Sequence, residues 1–68
     1  MNRFFAPTGR WGEGLVRLEK EESHHCTRVM RKRVGDEIEV FDGAGRWGRG
    51  AIVNDAAGEV VVEIAEES

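Results

Sequence analysis

A mostly β fold, a small antiparallel β-barrel with one α-helix packed across it, is what this 68-residue sequence predicts. Three features carry that expectation. After Gly35 the apolar residues alternate with polar ones, which is the period of half-buried strands. Nine glycines against a single proline supply tight turns without interrupting strands. Only one stretch, "EKEESHHCTRVMRKR" at 19–33, has the apolar spacing of a helix. A chain this short makes one domain and buries only ~60% of the surface its unfolded state exposes.

The elements follow in order. "RFF" at 3–5 is an aromatic pair suited to a first or edge strand. Pro7, Gly9, Gly12 and Gly14 punctuate a loop, and "LVRL" at 15–18 is apolar and β-branched enough for a second strand. Glu19, Glu21 and Glu22 then stand where the positive end of a helix dipole favours acids. Cys26, Val29 and Met30 fall at i, i+3 and i+4, an apolar stripe that predicts a helix of about three turns. Arg31, Lys32 and Arg33 suit its negative end, and Gly35 is placed to terminate it. In "DEIEVFDG" Ile38 and Val40 point to one face, with Glu37, Glu39 and Phe41 on the other. Asp42-Gly43 is a hairpin signal, and "RWGRGAIVND" is the return strand, with Gly48 and Gly50 marking a bulge or a close backbone approach. "AAGE" turns the chain once more into "VVVEIAE", with Val60, Val62 and Ile64 toward the core. The order is strand, strand, helix, then three hairpin-linked strands.

Composition narrows the function classes. At 40% hydrophobic and 34% charged residues the chain reads as soluble and globular. It has no run of ~18 apolar residues to span a membrane, and "MNRFFAPTGR" lacks the apolar core of a secretory signal. One cysteine makes no internal disulfide, so a cytoplasmic setting is expected. The net charge of −3 hides a split. Residues 1–35 carry eight basic and four acidic side chains, whereas residues 36–68 carry two and nine. A polyanion responds to the local field within roughly 8 Å at physiological salt, so the first half retains a nucleic-acid reading.

Catalytic and metal chemistry fare poorly. His24, His25 and Cys26 are zinc-ligand types, but successive helical side chains diverge by ~100° and cannot converge on one ion. Cys26 sits on the apolar stripe, where a buried thiol has a raised pKa and is inert. Glu37, Glu39 and Glu63 fall on outer strand faces, and Gly43, Gly45, Gly48 and Gly50 join two strands rather than a strand and a helix, unlike a phosphate loop. No catalytic residue, metal or cofactor is expected in this chain.

The basic helix is the better candidate. Opposite the apolar stripe lie His24, Arg28 and Arg31, at i, i+4 and i+7, flanked by Lys32; Arg33 comes round toward the core edge and is expected beyond the helix end. Guanidinium forks match phosphate oxygens and stack on unpaired bases. A solvated helix face accounts for such a row equally simply. Trp11 and Trp47, each in "GRWG", fit loop packing better than base stacking.

In order and spacing, "RFF" at 3–5, "HHCTRVMR" at 24–31, "GDEIEVFDG" at 35–43 and Gly45 resemble the N-terminal part of bacterial small-subunit ribosomal RNA uridine N3-methyltransferases. The resemblance implies a PUA-like barrel that helps recognise RNA. It also implies a separate catalytic domain of the SPOUT class, outside these residues, which binds S-adenosylmethionine and forms a homodimer. The expected partners are therefore small-subunit ribosomal RNA and that C-terminal domain, with no membrane. Arg3, His24, Arg28 and Arg31 match positions that the family usually keeps, and with Lys32 they form the expected RNA-binding set. Cys26, Thr27 and Met30 depart from the family's leucine-rich pattern, and Val34 stands where proline is common. The alternative is a module that mainly docks on the catalytic domain, with exposed Phe5, Phe41, Trp11 or Trp47 as its signature.

Overall fold

The computed structural model describes residues 2–68. Six strands form one sheet in the order β1-β4-β5-β6-β3-β2. Their bounds are β1 Arg3–Phe5, β2 Trp11–Gly12, β3 Leu15–Arg17, β4 Glu37–Phe41, β5 Trp47–Asn54 and β6 Val61–Glu67. The mostly β architecture with one short helical segment is as the sequence predicts. All neighbours are antiparallel except β1, which runs parallel to β4 with Phe4 opposite Val40.

The sheet curls until its two edges nearly meet. β1 runs into β2 through a 3₁₀ turn at Thr8–Arg10. No ladder joins the two edges; a side chain does. The Trp11 indole N–H donates to the Ala6 carbonyl at 2.8 Å, and the Arg46 guanidinium stacks over the ring at 4.5 Å. A β2–β3 hairpin, absent from the sequence expectation, turns through Glu13 and Gly14 at φ 56° and 78°. Two positive φ values in succession match the twist of the strands, but a glutamate in the first position conceals the turn.

Alternation then fills the interior. Phe4, Val16, Leu18, Ile38, Val40, Ile52, Val60 and Val62 are buried together with Ala6 and Cys26, while Trp11, Met30 and Ile64 seal the margin. Gly50 lets the β5–β6 ladder bulge, because a Cβ there would lie 1.9 Å from the Glu63 carbonyl oxygen. The β4–β5 turn is organised by Asp42. Its carboxylate accepts the backbone N–H groups of Ala44 and Arg46 and the Thr8 hydroxyl at 2.7, 2.9 and 3.1 Å. Those donors hold the Asp42 carboxyl below its ordinary range.

Candidate nucleic-acid interface

The helical segment is shorter and wider than its spacing predicts. An α-helical turn, α1, covers Lys20–His24, and a π-helical turn covers His25–Val29. The Thr27 hydroxyl bonds back to the Ser23 carbonyl at 3.0 Å, a contact that competes with regular helix bonding. One turn later the Met30 N–H reaches the His25 carbonyl, a five-residue step. The wider turn rotates Val29 off the apolar stripe, and it is 60% exposed, while Cys26 is buried and Met30 still packs on the core. Val29 is therefore not the core residue that helical spacing suggests.

Termination also differs from the expectation. Arg31 takes the left-handed conformation at φ 58°, and the Lys32 N–H closes onto the Cys26 carbonyl at 3.0 Å, six residues back. The helix thus ends before Arg31, not at Gly35. Gly35, at φ 98°, instead serves the turn into β4, where the Asp36 carboxylate accepts the Arg33 N–H at 2.8 Å. Asp36 therefore holds backbone rather than the Arg31 side chain.

A buried serine anchors this segment to the barrel. Ser23 Oγ donates to the Leu18 carbonyl at 3.1 Å and accepts the Val60 N–H at 3.0 Å. The Glu22 carboxylate accepts the Phe5 N–H at 2.7 Å, so α1 also caps the β1 edge. Nothing in the sequence pattern separates Ser23 from a solvated polar residue, because only the packed sheet brings Val60 to it.

With the segment pinned, each expected site residue has a defined place. His24 and Arg28, four apart, line an open groove between α1 and the β5–β6 turn at Ala56–Gly58. Its opposite wall includes Arg10, Asp55 and Glu59. Arg31 lies past the helix end, exposed and outside that groove, and Lys32 is half-buried beside it. The single row of His24, Arg28 and Arg31 is thus broken into a groove pair and a hook. Arg3 stands on β1 with its Nε 3.3 Å from the Glu39 carboxylate, engaged within the fold. Arg33 lies beyond the helix end, as expected, and is exposed there rather than turned to the core edge.

The histidines and the cysteine diverge. His24 faces the groove, His25 sets its ring edge-on to Phe4 at 5.9 Å between centroids, and Cys26 points inward. Among the described residues no three His, Cys, Asp or Glu side chains cluster as a metal site. Burial pushes the Cys26 thiol up to about 11.

Ion pairing sorts the cations. Among the described residues four salt bridges form, using Arg3, Arg10, Arg46 and Arg49 with Glu39, Glu59, Glu67 and Glu66. None involves Arg28, Arg31, Lys32 or Arg33. Arg10 does more than pair, since its guanidinium also binds the carbonyls of Arg17 and Leu18 at 2.9 and 3.1 Å. Elsewhere the Trp47 indole and the Arg3 guanidinium hold the Glu39 carboxyl below its ordinary range. Arg3, Arg10, Arg46 and Arg49 are engaged by glutamates of the fold, whereas the arginines of the helix end, like Arg17 on β3, form no ion pair.

Known structures share this fold. A ribosomal RNA small-subunit methyltransferase E of Neisseria gonorrhoeae, bound to S-adenosylmethionine, superposes with a TM-score of 0.80 at 26% identity, covering 100% of this chain and 28% of its own. A predicted RNA methyltransferase of Thermotoga maritima gives 0.85 at 25%, covering 100% and 30%. A probable rRNA methyltransferase of Porphyromonas gingivalis gives 0.83 at 25%, covering 100% and 27%. This chain thus spans less than a third of each of those proteins. No curated protein matches it. A family profile described as the RNA methyltransferase PUA domain matches residues 18–65. That stretch holds the pinned helix, its cationic end, β4, β5 and most of β6, and the chain belongs to the RNA methyltransferase PUA domain family.

Proposed function

We propose that this chain is an RNA-binding accessory domain of an S-adenosylmethionine-dependent methyltransferase. The parent enzyme acts on small-subunit ribosomal RNA at uridine N3, in the cytoplasm. The domain is not catalytic by itself: it holds RNA for a separate SPOUT-class catalytic domain, through which the parent dimerises. One observation carries the RNA-binding reading. Every ion pair among the described residues uses an arginine outside the helical segment, and Arg28, Arg31, Lys32 and Arg33 remain unpaired on one end of it. Charge left without an internal partner at a built helix end suits phosphate oxygens. Arg28, Arg31 and Lys32 contact the backbone, and His24 extends the surface into the groove. Arg3 contributes only if RNA displaces Glu39.

On this reading S-adenosylmethionine binds in the other domain. The helix–turn groove is open to solvent, and its walls mix charged residues such as Glu19, Arg28 and Glu59 with Leu18 and Val60. Cofactor sites enclose their ligand within mostly apolar walls. Methyl transfer is accordingly assigned to the other domain.

A docking role is the second reading, favoured by the Phe5–Phe41 pair. Their rings meet edge-to-face at 5.6 Å, with Phe5 40% exposed. Amide shifts in an NMR titration with a helical ribosomal RNA fragment, at low and moderate salt, separate the two. Shifts at Arg28 and Arg31 that fade with salt support RNA contact. An Arg28→Ala/Arg31→Ala variant should stay folded, and its log–log salt slope should flatten by about 1.4 to 1.8. A silent helix end, with Phe5 and Phe41 responding to an added catalytic domain, favours docking instead.

A further inference from the structure

Apolar exposure on this molecule is not scattered. Among the described residues four large hydrophobics are exposed: Phe5, Val29, Val34 and Val53. Three of them border the cationic hook. Val29 closes the π-helical turn just before it, and Val34 follows Arg31, Lys32 and Arg33 directly. Val53 joins them through backbone bonding. The Gly35 N–H donates to the Ile52 carbonyl at 2.8 Å, and the Ile52 N–H donates to the Asp36 carbonyl at 2.9 Å. These bonds lay residues 34–36 alongside 52–54, where the ladder irregularity between Ile52 and Asn54 leaves Val53 outside. Val29, Val34 and Val53 are 60%, 55% and 44% exposed.

Charge and apolar surface so interleaved make a chemical statement about the occupant. A continuous RNA duplex offers phosphates, sugars and a shallow minor groove, with its base faces stacked away. Such a partner matches the cations but leaves three valines with little to cover them. RNA with unpaired nucleotides presents both phosphate and open base faces, so it matches cations and valines together. Resting on the RNA-binding reading above, we propose that the hook from Val29 to Val34, with Val53, selects RNA at a loop, bulge or junction over uniform duplex. Arg31 and Lys32 neutralise the backbone there, and the valines cover the exposed bases. An anionic membrane shares the liking for basic and apolar groups together. It is disfavoured because interfacial segments usually sink Trp, Phe or Leu into lipid, and this rim offers only short aliphatic side chains.

The test is fluorescence anisotropy of the 68-residue chain with three probes. These are an RNA duplex, the same duplex carrying an unpaired bulge, and vesicles of anionic phospholipid. Val29→Ser/Val34→Ser is the diagnostic variant, since neither side chain is buried and the fold should persist, as checked by its thermal midpoint. The expected result is preferential binding of the bulged RNA by the unaltered chain. The variant should lose that preference, by about tenfold, without change in duplex affinity or salt slope. Equal binding of both RNAs, with the variant indifferent, overturns this selectivity but leaves RNA binding intact. Absence of binding to either RNA overturns the RNA-binding reading itself. Valine-dependent binding to vesicles, with no preference between RNAs, overturns the proposal in favour of a membrane surface.

Discussion

Ser23 Oγ accepts the Val60 backbone N–H at 3.0 Å while donating to the Leu18 carbonyl at 3.1 Å, so one buried hydroxyl joins the helix to the strand ends on either side of it. Ser23→Ala removes both bonds and strands the Val60 N–H in the core. The expected cost is about 1–3 kcal/mol, because a buried donor without an acceptor carries its full desolvation penalty. A urea titration should show a lower midpoint at unchanged slope.

Gly50 and Gly12 predict opposite outcomes for the same substitution. Alanine at Gly50 places its Cβ 1.9 Å from the Glu63 carbonyl oxygen, a backbone atom that cannot move aside, whereas nothing lies within 4 Å of the corresponding position at Gly12. Gly50→Ala should destabilise by about 1–3 kcal/mol or more, and Gly12→Ala should remain within about 0.5 kcal/mol. Thermal midpoints of the two variants, measured side by side, check the contrast. A sheet that tolerates both would mean β5 and β6 do not approach as described.

Acid should weaken the fold through Asp42 and Glu39. Both carboxyls are held below their ordinary range, Asp42 by the Ala44 and Arg46 N–H groups and Glu39 by Trp47 and Arg3. A depressed folded-state pKa means the charged form is favoured by folding. That stability is present above the ordinary carboxylate range, about pH 4, and is lost as pH falls through the folded values. Asp42→Asn should lower stability at neutral pH and flatten its acid dependence. Urea midpoints collected from neutral pH to about pH 2 test the sign.

Arg31 should trade stability for binding. At φ 58° it occupies a helix-end position where glycine is usual, and a side chain there costs about 1 kcal/mol. Arg31→Gly is expected to raise the thermal midpoint by about 4–8 °C per kcal/mol gained. The same change should weaken RNA binding and reduce its salt dependence. Calorimetry and an RNA titration on one sample give both readings. If stability rises and affinity holds, Arg31 is not a contact.

Legibility followed the range of each interaction. The β4–β5 meander could be read from alternation and Asp42-Gly43 because those signals span a few residues, and the glycine approach at Gly50 was foreshadowed by its place inside a strand. The β2–β3 hairpin escaped because its turn uses Glu13 in a left-handed conformation that most sequences give to Asn or Gly. On the candidate surface, residue type and spacing singled out Arg28, Arg31 and Lys32 as candidates. They misplaced Val29, since that assignment assumed a regular helix. The π-helical turn depends on the Thr27 back-bond and on burial of Cys26 with Met30 against the barrel, which no helical wheel contains.

Sequence alone determined the mostly β class, the inward set of Ile38, Val40, Val60 and Val62, and the concentration of cations in the first half. Those properties follow from local periodicity and from charge, which need no knowledge of what lies across the fold. Tertiary structure decided which cations stay available. Arg3, Arg10, Arg46 and Arg49 meet glutamates 39, 59, 67 and 66, and in every pair but Arg49–Glu66 more than 20 residues separate the partners in sequence. Such pairings exist only once the strands have paired. Arg28, Arg31 and Lys32 form none of these ion pairs: Arg28 stands in the open groove, and the left-handed residue at the helix end sets Arg31 and Lys32 outside it.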